Sequence, residues 1–150
     1  MNLRTLFTTI VAVVLLSAAL PLSASGLPTT SPGENAAKIS GIPGQFGEDL
    51  YPVRFVEIDG RNIQPREVLW LEPGRYELTV LIQTRRGFAP VAAPPGIRRN
   101  WERAGPEARR AATTIEVEVE AGKTYQIRAR YNREERRGIP YSTVLWRVEE

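Results

Sequence analysis

Two stretches of the chain repeat one device. Residues 69–80 read Leu-Trp-Leu-Glu-Pro-Gly-Arg-Tyr-Glu-Leu-Thr-Val, and residues 117–129 read Val-Glu-Val-Glu-Ala-Gly-Lys-Thr-Tyr-Gln-Ile-Arg-Ala. In each, an acid, a turn-forming or small residue and a glycine lead to a base, and then to a tyrosine that opens an alternating strand. Alternation on both sides of a glycine turn predicts a tight β-hairpin. In the first, Pro73 and Gly74 as loop residues set Leu71 opposite Tyr76 and Leu69 opposite Leu78. In the second, the loop Ala121-Gly122-Lys123 sets Val119 opposite Tyr125 and Val117 opposite Ile127, with Gly122 free to adopt positive φ. The outer face of that hairpin then pairs Glu118 with Gln126 and Glu116 with Arg128, surface contacts worth roughly 0.2–1 kcal/mol each.

The remaining segments follow the same two-residue period. A strand over Tyr51–Ile58 stops at Asp59-Gly60, a strong turn dipeptide, and a last strand covers Ser142–Val148. The fold class expected is all-β: a small antiparallel β-sandwich of about six strands, with a long irregular or partly helical connection between strands 3 and 4. That connection, residues 85–112, carries Pro106 where a short helix could begin.

The chain opens with Arg4, an apolar run from Leu6 to Leu20, Pro21, and the small residues Ser23 to Gly26, the pattern of a cleaved signal peptide. An uncleaved anchor is the competing reading, since the run approaches the roughly 20 residues a spanning helix needs. With no cysteine near that site, a lipid anchor has no attachment point, and disulfides are excluded throughout. Residues 26–47 are rich in Gly, Pro, Ser and Thr without a strand or helix period, and read as a flexible linker. The partition expected is therefore signal peptide 1–25, linker 26–47 and sandwich 48–150, in an exported, periplasmic or secreted protein.

Histidine and cysteine are both absent, which removes Ser-His and Cys-His nucleophiles, His-rich zinc sites and thiol redox chemistry. Carboxylate pairs such as Glu134-Glu135 or Glu57 with Asp59 are nominal candidates for glycoside hydrolysis, but adjacent strand residues point to opposite faces. Glu48-Asp49 is a weak calcium signal without a ligand loop. No catalytic, metal or cofactor residues are expected, and the protein reads as a non-enzyme.

The net charge is only +3, yet almost every base is arginine and many fall in the long connection. Arg85, Arg86, Arg98, Arg99, Arg103, Arg109 and Arg110, with Trp101 among them, are the candidate binding residues. Guanidinium forks suit phosphate or carboxylate groups of an anionic envelope polymer or an acidic envelope protein. Nucleic acid has the same chemistry, but export separates the domain from it. Arg133, Arg136 and Arg137 form a second basic cluster, which joins the first only if both connections emerge at one end. The competing reading is a solvated loop with Trp101 tucked against the sandwich. Trp70, Trp146, Tyr76, Tyr125 and Tyr131 suggest a sugar-stacking platform, although their spacing favours packing within the sandwich.

Val56-Glu57-Ile58-Asp59-Gly60, Leu71-Glu72-Pro73-Gly74-Arg75-Tyr76 and Val119-Glu120-Ala121-Gly122-Lys123-Thr124-Tyr125 together resemble the PEGA-like, transthyretin-type β-sandwich domains of exported bacterial proteins. The match departs from that pattern in lacking the alanine of the namesake motif, with Glu72-Pro73-Gly74-Arg75 in its place, and in the arginine-rich insertion. The resemblance implies a location and a fold, an interaction module with no catalytic residues to transfer. A second function class remains open, a structural subunit that joins an envelope complex by adding an edge strand, with Ser142–Val148 as that strand.

Overall fold

The computed structural model describes residues 26–150, so the expected signal peptide, 1–25, lies outside the described residues. Two five-stranded sheets pack with their apolar faces together. One sheet is built from β1 (Ala37–Ser40), β2 (Leu50–Tyr51), β5 (Val68–Leu71), β9 (Thr124–Tyr131) and β10 (Tyr141–Glu149). Its order is β10-β9-β1-β5, with β2 also paired to β9. The other holds β3 (Val53–Ile58), β4 (Arg61–Arg66), β6 (Gly74–Thr84), β7 (Gly87–Phe88) and β8 (Thr114–Val119), ordered β4-β3-β6-β7 with β8 also on β6. The all-β sandwich expected from the alternation is what the chain forms, with more and shorter strands than the six expected.

Alternation decides the core. Leu78, Val80 and Ile82 of β6, Val117 and Val119 of β8, and Tyr125, Ile127 and Ala129 of β9 all point between the sheets and are buried. β3 changes parity at a register shift between Phe55 and Glu57, so Val53, Phe55 and then Ile58 face inward. Asp59 and Gly60 both take positive φ, 50° and 73°, and close the β3–β4 hairpin as the dipeptide predicts.

The two expected hairpins are not hairpins. β5 pairs with β1 whereas β6 pairs with β3 and β8, and β8 pairs with β6 whereas β9 pairs with β10, β1 and β2. Each repeat is a crossover from one sheet to the other. A hairpin sets the two apolar faces side by side about 4.8 Å apart, and a crossover sets them face to face about 10 Å apart. Both arrangements bury the same alternate residues, so alternation identifies the inward set but not the strand partners. The true neighbours are the crossovers themselves, since β6 and β8 pair antiparallel with Tyr76 opposite Val117 and Gly74 opposite Val119.

The segment read as a linker supplies the missing strand. β1 lies inside the first sheet, antiparallel to β5 with Ile39 opposite Leu69, and parallel to β9 with Ile39 opposite Tyr125. Ala37 and Ile39 are fully buried. Its four residues, Ala-Lys-Ile-Ser, carry little intrinsic strand preference; two flanking strands hold them extended. Upstream, Thr30 N–H donates to Trp70 O at 2.9 Å and Glu72 N–H to Pro28 O at 3.1 Å, covering the outer edge of β5.

The expected surface pair of Glu116 and Arg128 also gives way. Glu116 bridges Arg75 at 2.6 Å, across the β6–β8 pair. Arg128 is fully buried, donating to Ser40 O at 2.9 Å, to Ile127 O at 2.7 Å and to Gln126 Oε1 at 2.9 Å, beneath the Trp146 ring at 5.5 Å. It pins β9 to β1.

Candidate functional site

The connection between β6 and β8 is ordered into two helices, α1 (Pro95–Arg103) and α2 (Pro106–Thr113), each with proline in its first turn. What fixes it to the sandwich is aromatic. Trp101 of α1, only 9% exposed, meets Tyr141 at 6.4 Å. Tyr141 packs on Tyr131 at 5.2 Å and on Tyr51 at 5.8 Å, and Tyr51 packs on Phe46 at 5.1 Å. Burial in this cluster, with Tyr51 and Tyr131 beside it, pushes the Tyr141 hydroxyl up to about 12. The Arg85 guanidinium lies over Phe46 at 5.2 Å, so a basic side chain terminates the row.

Several expected binding residues serve the scaffold. Arg109 donates from Nε to Trp101 O at 3.1 Å and from Nη2 to Glu102 O at 2.8 Å, satisfying carbonyls at the C-terminus of α1 that the helix leaves open. Arg110 is paired with Glu77 and ties α2 to β6. Arg103 donates to Arg99 O at 3.3 Å and to Asn100 Oδ1 at 3.0 Å. Arg98 sits 4.0 Å from Glu102, one turn along α1. Trp101 is a core residue.

Two segments meet through a residue no spacing rule singles out. Asn100 Nδ2 donates to Arg136 O at 3.0 Å and to Gly138 O at 3.3 Å, joining the middle of α1 to the loop between β9 and β10. That loop is held in shape by Glu135, whose carboxylate accepts N–H groups of Arg137 and Gly138 at 2.8 Å each. Those backbone donors hold its pKa below the usual carboxylate range. Arg133 binds Asp49 with two contacts of 2.7 Å, and the guanidinium lowers the Asp49 pKa. Two of the carboxylates nominated from sequence hold the scaffold: Glu135 shapes a loop, and Asp59 accepts the Glu77 N–H at 2.8 Å.

Both basic connections therefore emerge at one end of the sandwich. Arg85 and Arg86 face the start of α1 across a cleft of about 370 Å³, lined also by Tyr51, Pro94, Pro95 and Tyr141. Arg86, Arg99, Arg136 and Arg137 are exposed, and their guanidinium groups take no part in an internal hydrogen bond or ion pair among the described residues. The charges of Arg86, Arg99 and Arg136 are available to a ligand; that of Arg137 is shared with Glu135, whose pKa it helps to lower, and Arg109, Arg110 and Arg133 are committed to internal partners. Among the described residues no group of three or more acids stands where it could hold a metal ion. Sequence reading missed Asn100, Phe46 and Tyr51, whose importance arises only from contacts across the fold. No protein-family model, curated protein or solved structure matches the chain.

Proposed function

We propose that the protein is a non-enzymatic exported binding module of the cell envelope that contacts an anionic polymer, or an acidic partner presenting similar groups, through this basic end. The observation carrying the reading is the Asn100 bridge, which sets Arg136 and Arg137 beside the helix bearing Arg98 and Arg99. Free guanidinium groups on rigid backbone recognise phosphate or carboxylate without first ordering a loop. Soluble polyphosphate is a suitable probe. Its affinity should fall about tenfold or more between low and physiological salt, because exposed charges are screened over roughly 8–10 Å. Replacing Arg99, Arg136 and Arg137 by Glu should abolish retention without lowering the melting temperature. Salt-independent retention, or retention unchanged in that variant, would defeat the reading.

One observation favours a second reading, an assembly subunit joined by strand addition. Among the described residues β10 pairs only with β9, and Leu145 and Val148 on it are 42% and 45% exposed. Lysine at both positions should then remove the protein from its complex while the isolated domain stays folded.

A further inference from the structure

At the lateral opening between β4 and β5 lies a cleft of about 500 Å³ that shares no lining residue with the basic one. Its polar lining is Thr29, Thr30, Asn62, Gln64 and Arg66, with Trp70 as the aromatic wall. None of those five polar side chains makes a hydrogen bond or ion pair within the described residues. No acidic residue lines the cleft. Trp70 is half-buried, with the Lys38 ammonium 5.9 Å from its ring centre, and it also lines a neighbouring cleft that holds Lys38. The ring thus stands between the two clefts and forms a wall of both.

The geometry points to a binding site for a neutral saccharide, one or two rings long, stacked on Trp70 and hydrogen-bonded by Asn62, Gln64, Arg66 and the two threonines. Five considerations select that class. A volume of this order is within the ordinary range of small-ligand sites, roughly 300–1,000 Å³. A sugar ring offers an apolar face to an indole and a girdle of hydroxyls that both donate and accept, matching side-chain amides and hydroxyls that do the same. An apolar ligand would cover five polar side chains and satisfy none. An extended peptide finds a poor ladder on either side. The outer edge of β5 is taken by Thr30 N–H and Pro28 O, and β4 is interrupted by Pro65, which has no N–H. Arg66 is the one cation in the lining, with Lys38 on the neighbouring cleft beyond Trp70, whereas the basic cleft carries Arg85 and Arg86 side by side.

Cellobiose and N,N′-diacetylchitobiose, titrated separately into the protein and followed by the Trp70 indole resonance, test the assignment. At least one should bind with a dissociation constant of about 1 mM or tighter. Trp70→Ala should weaken that binding at least tenfold. Because Trp70→Ala alters a partly buried position, the double variant Asn62→Ala with Gln64→Ala, on the exposed strand β4, provides the second reading: a loss of about tenfold with an unchanged melting temperature. Trp146→Phe should leave binding as it was. Silence of the Trp70 resonance to both sugars at tens of millimolar, or binding that survives both Trp70→Ala and the double variant, overturns the proposal. Displacement of the sugar by polyphosphate would place both ligands in one site and overturn it as well.

Discussion

The crossover from β5 to β6 and the crossover from β8 to β9 are written in nearly the same residues, yet they hold their turns by different means. In the first, the Tyr76 hydroxyl donates to Glu72 O at 2.8 Å; in the second, the Tyr125 hydroxyl accepts from Glu120 N–H at 2.9 Å. Each tyrosine reaches back over its own turn and fixes the acid that begins it. The glycines differ too. Gly122 has φ +78°, and a side chain there would meet nothing closer than Glu34 O at 3.7 Å, so conformation is what requires glycine. Gly74 has no such φ, but a Cβ would stand 3.0 Å from the Tyr76 hydroxyl, so close approach is what favours glycine there. A shared motif is therefore evidence of a shared task, crossing between sheets, and not of a shared mechanism.

The largest effect should come from the strand that joins the two crossovers. Deleting residues 26–41 removes β1 and leaves β5 and β9 without the partner between them, so cooperative unfolding should vanish. Ending the deletion at residue 33 keeps β1 and should preserve it. Within the full chain, Ile39→Ala, at a fully buried position, should cost about 2–5 kcal/mol in chemical denaturation. A folded 42–150 fragment of native stability would show that the crossovers hold together through β6 and β8 alone.

This strand also marks where the sequence stops being legible. The inward-facing residues of β6, β8 and β9 could be read because alternation is local, and the Asp59-Gly60 turn because φ preference is local. Sheet membership could not be read, since crossover and hairpin impose the same alternation on Leu69 to Leu78. β1 was hidden because Ala37–Ser40 is extended by its neighbours rather than by its own residues. At the basic end, the arginines were visible as a class, but the split between Arg109, spent on helix carbonyls, and Arg99, left free, depends on where α1 terminates. Asn100 carried no signal at all, because its two acceptors lie 36 and 38 residues away.

The two glycines allow the comparison to be broken deliberately. Gly122→Ala should cost about 1–2 kcal/mol from the left-handed backbone, and Gly122→Asn should recover part of it, since asparagine tolerates that conformation. Gly74→Ala should cost less, about 0.5–1 kcal/mol, and should respond to its neighbour instead. Removing the hydroxyl by Tyr76→Phe relieves the 3.0 Å approach, so the double variant should be less destabilised than the sum of the singles by roughly 0.5 kcal/mol. Equal rescue of both glycine sites by asparagine would mean that the turns are alike after all.

The smallest effects belong to the tyrosines, and pH separates what size does not. At neutral pH, Tyr76→Phe and Tyr125→Phe should each cost about 0.5–1.5 kcal/mol, the ordinary net contribution of one hydrogen bond. Burial, reinforced by Glu72 and Asp59, holds the Tyr76 pKa above its usual value of 10.0. The unfolded chain therefore loses this proton first, and the folded state binds more protons across the interval. Stability from this group is complete below about pH 10 and declines as pH rises through the folded value. Ionisation also removes the proton that Tyr76 donates to Glu72 O. Tyr141, pushed up to about 12, loses stability over an overlapping range, so the informative quantity is the difference between variant and parent at each pH. That difference should shrink as pH rises above about 10 for Tyr76→Phe, because the parent is losing what the variant already lacks. A difference that stays constant up to pH 12 would mean that the Tyr76 hydroxyl ionises equally well in the folded and unfolded chain, and that its contact with Glu72 O holds nothing.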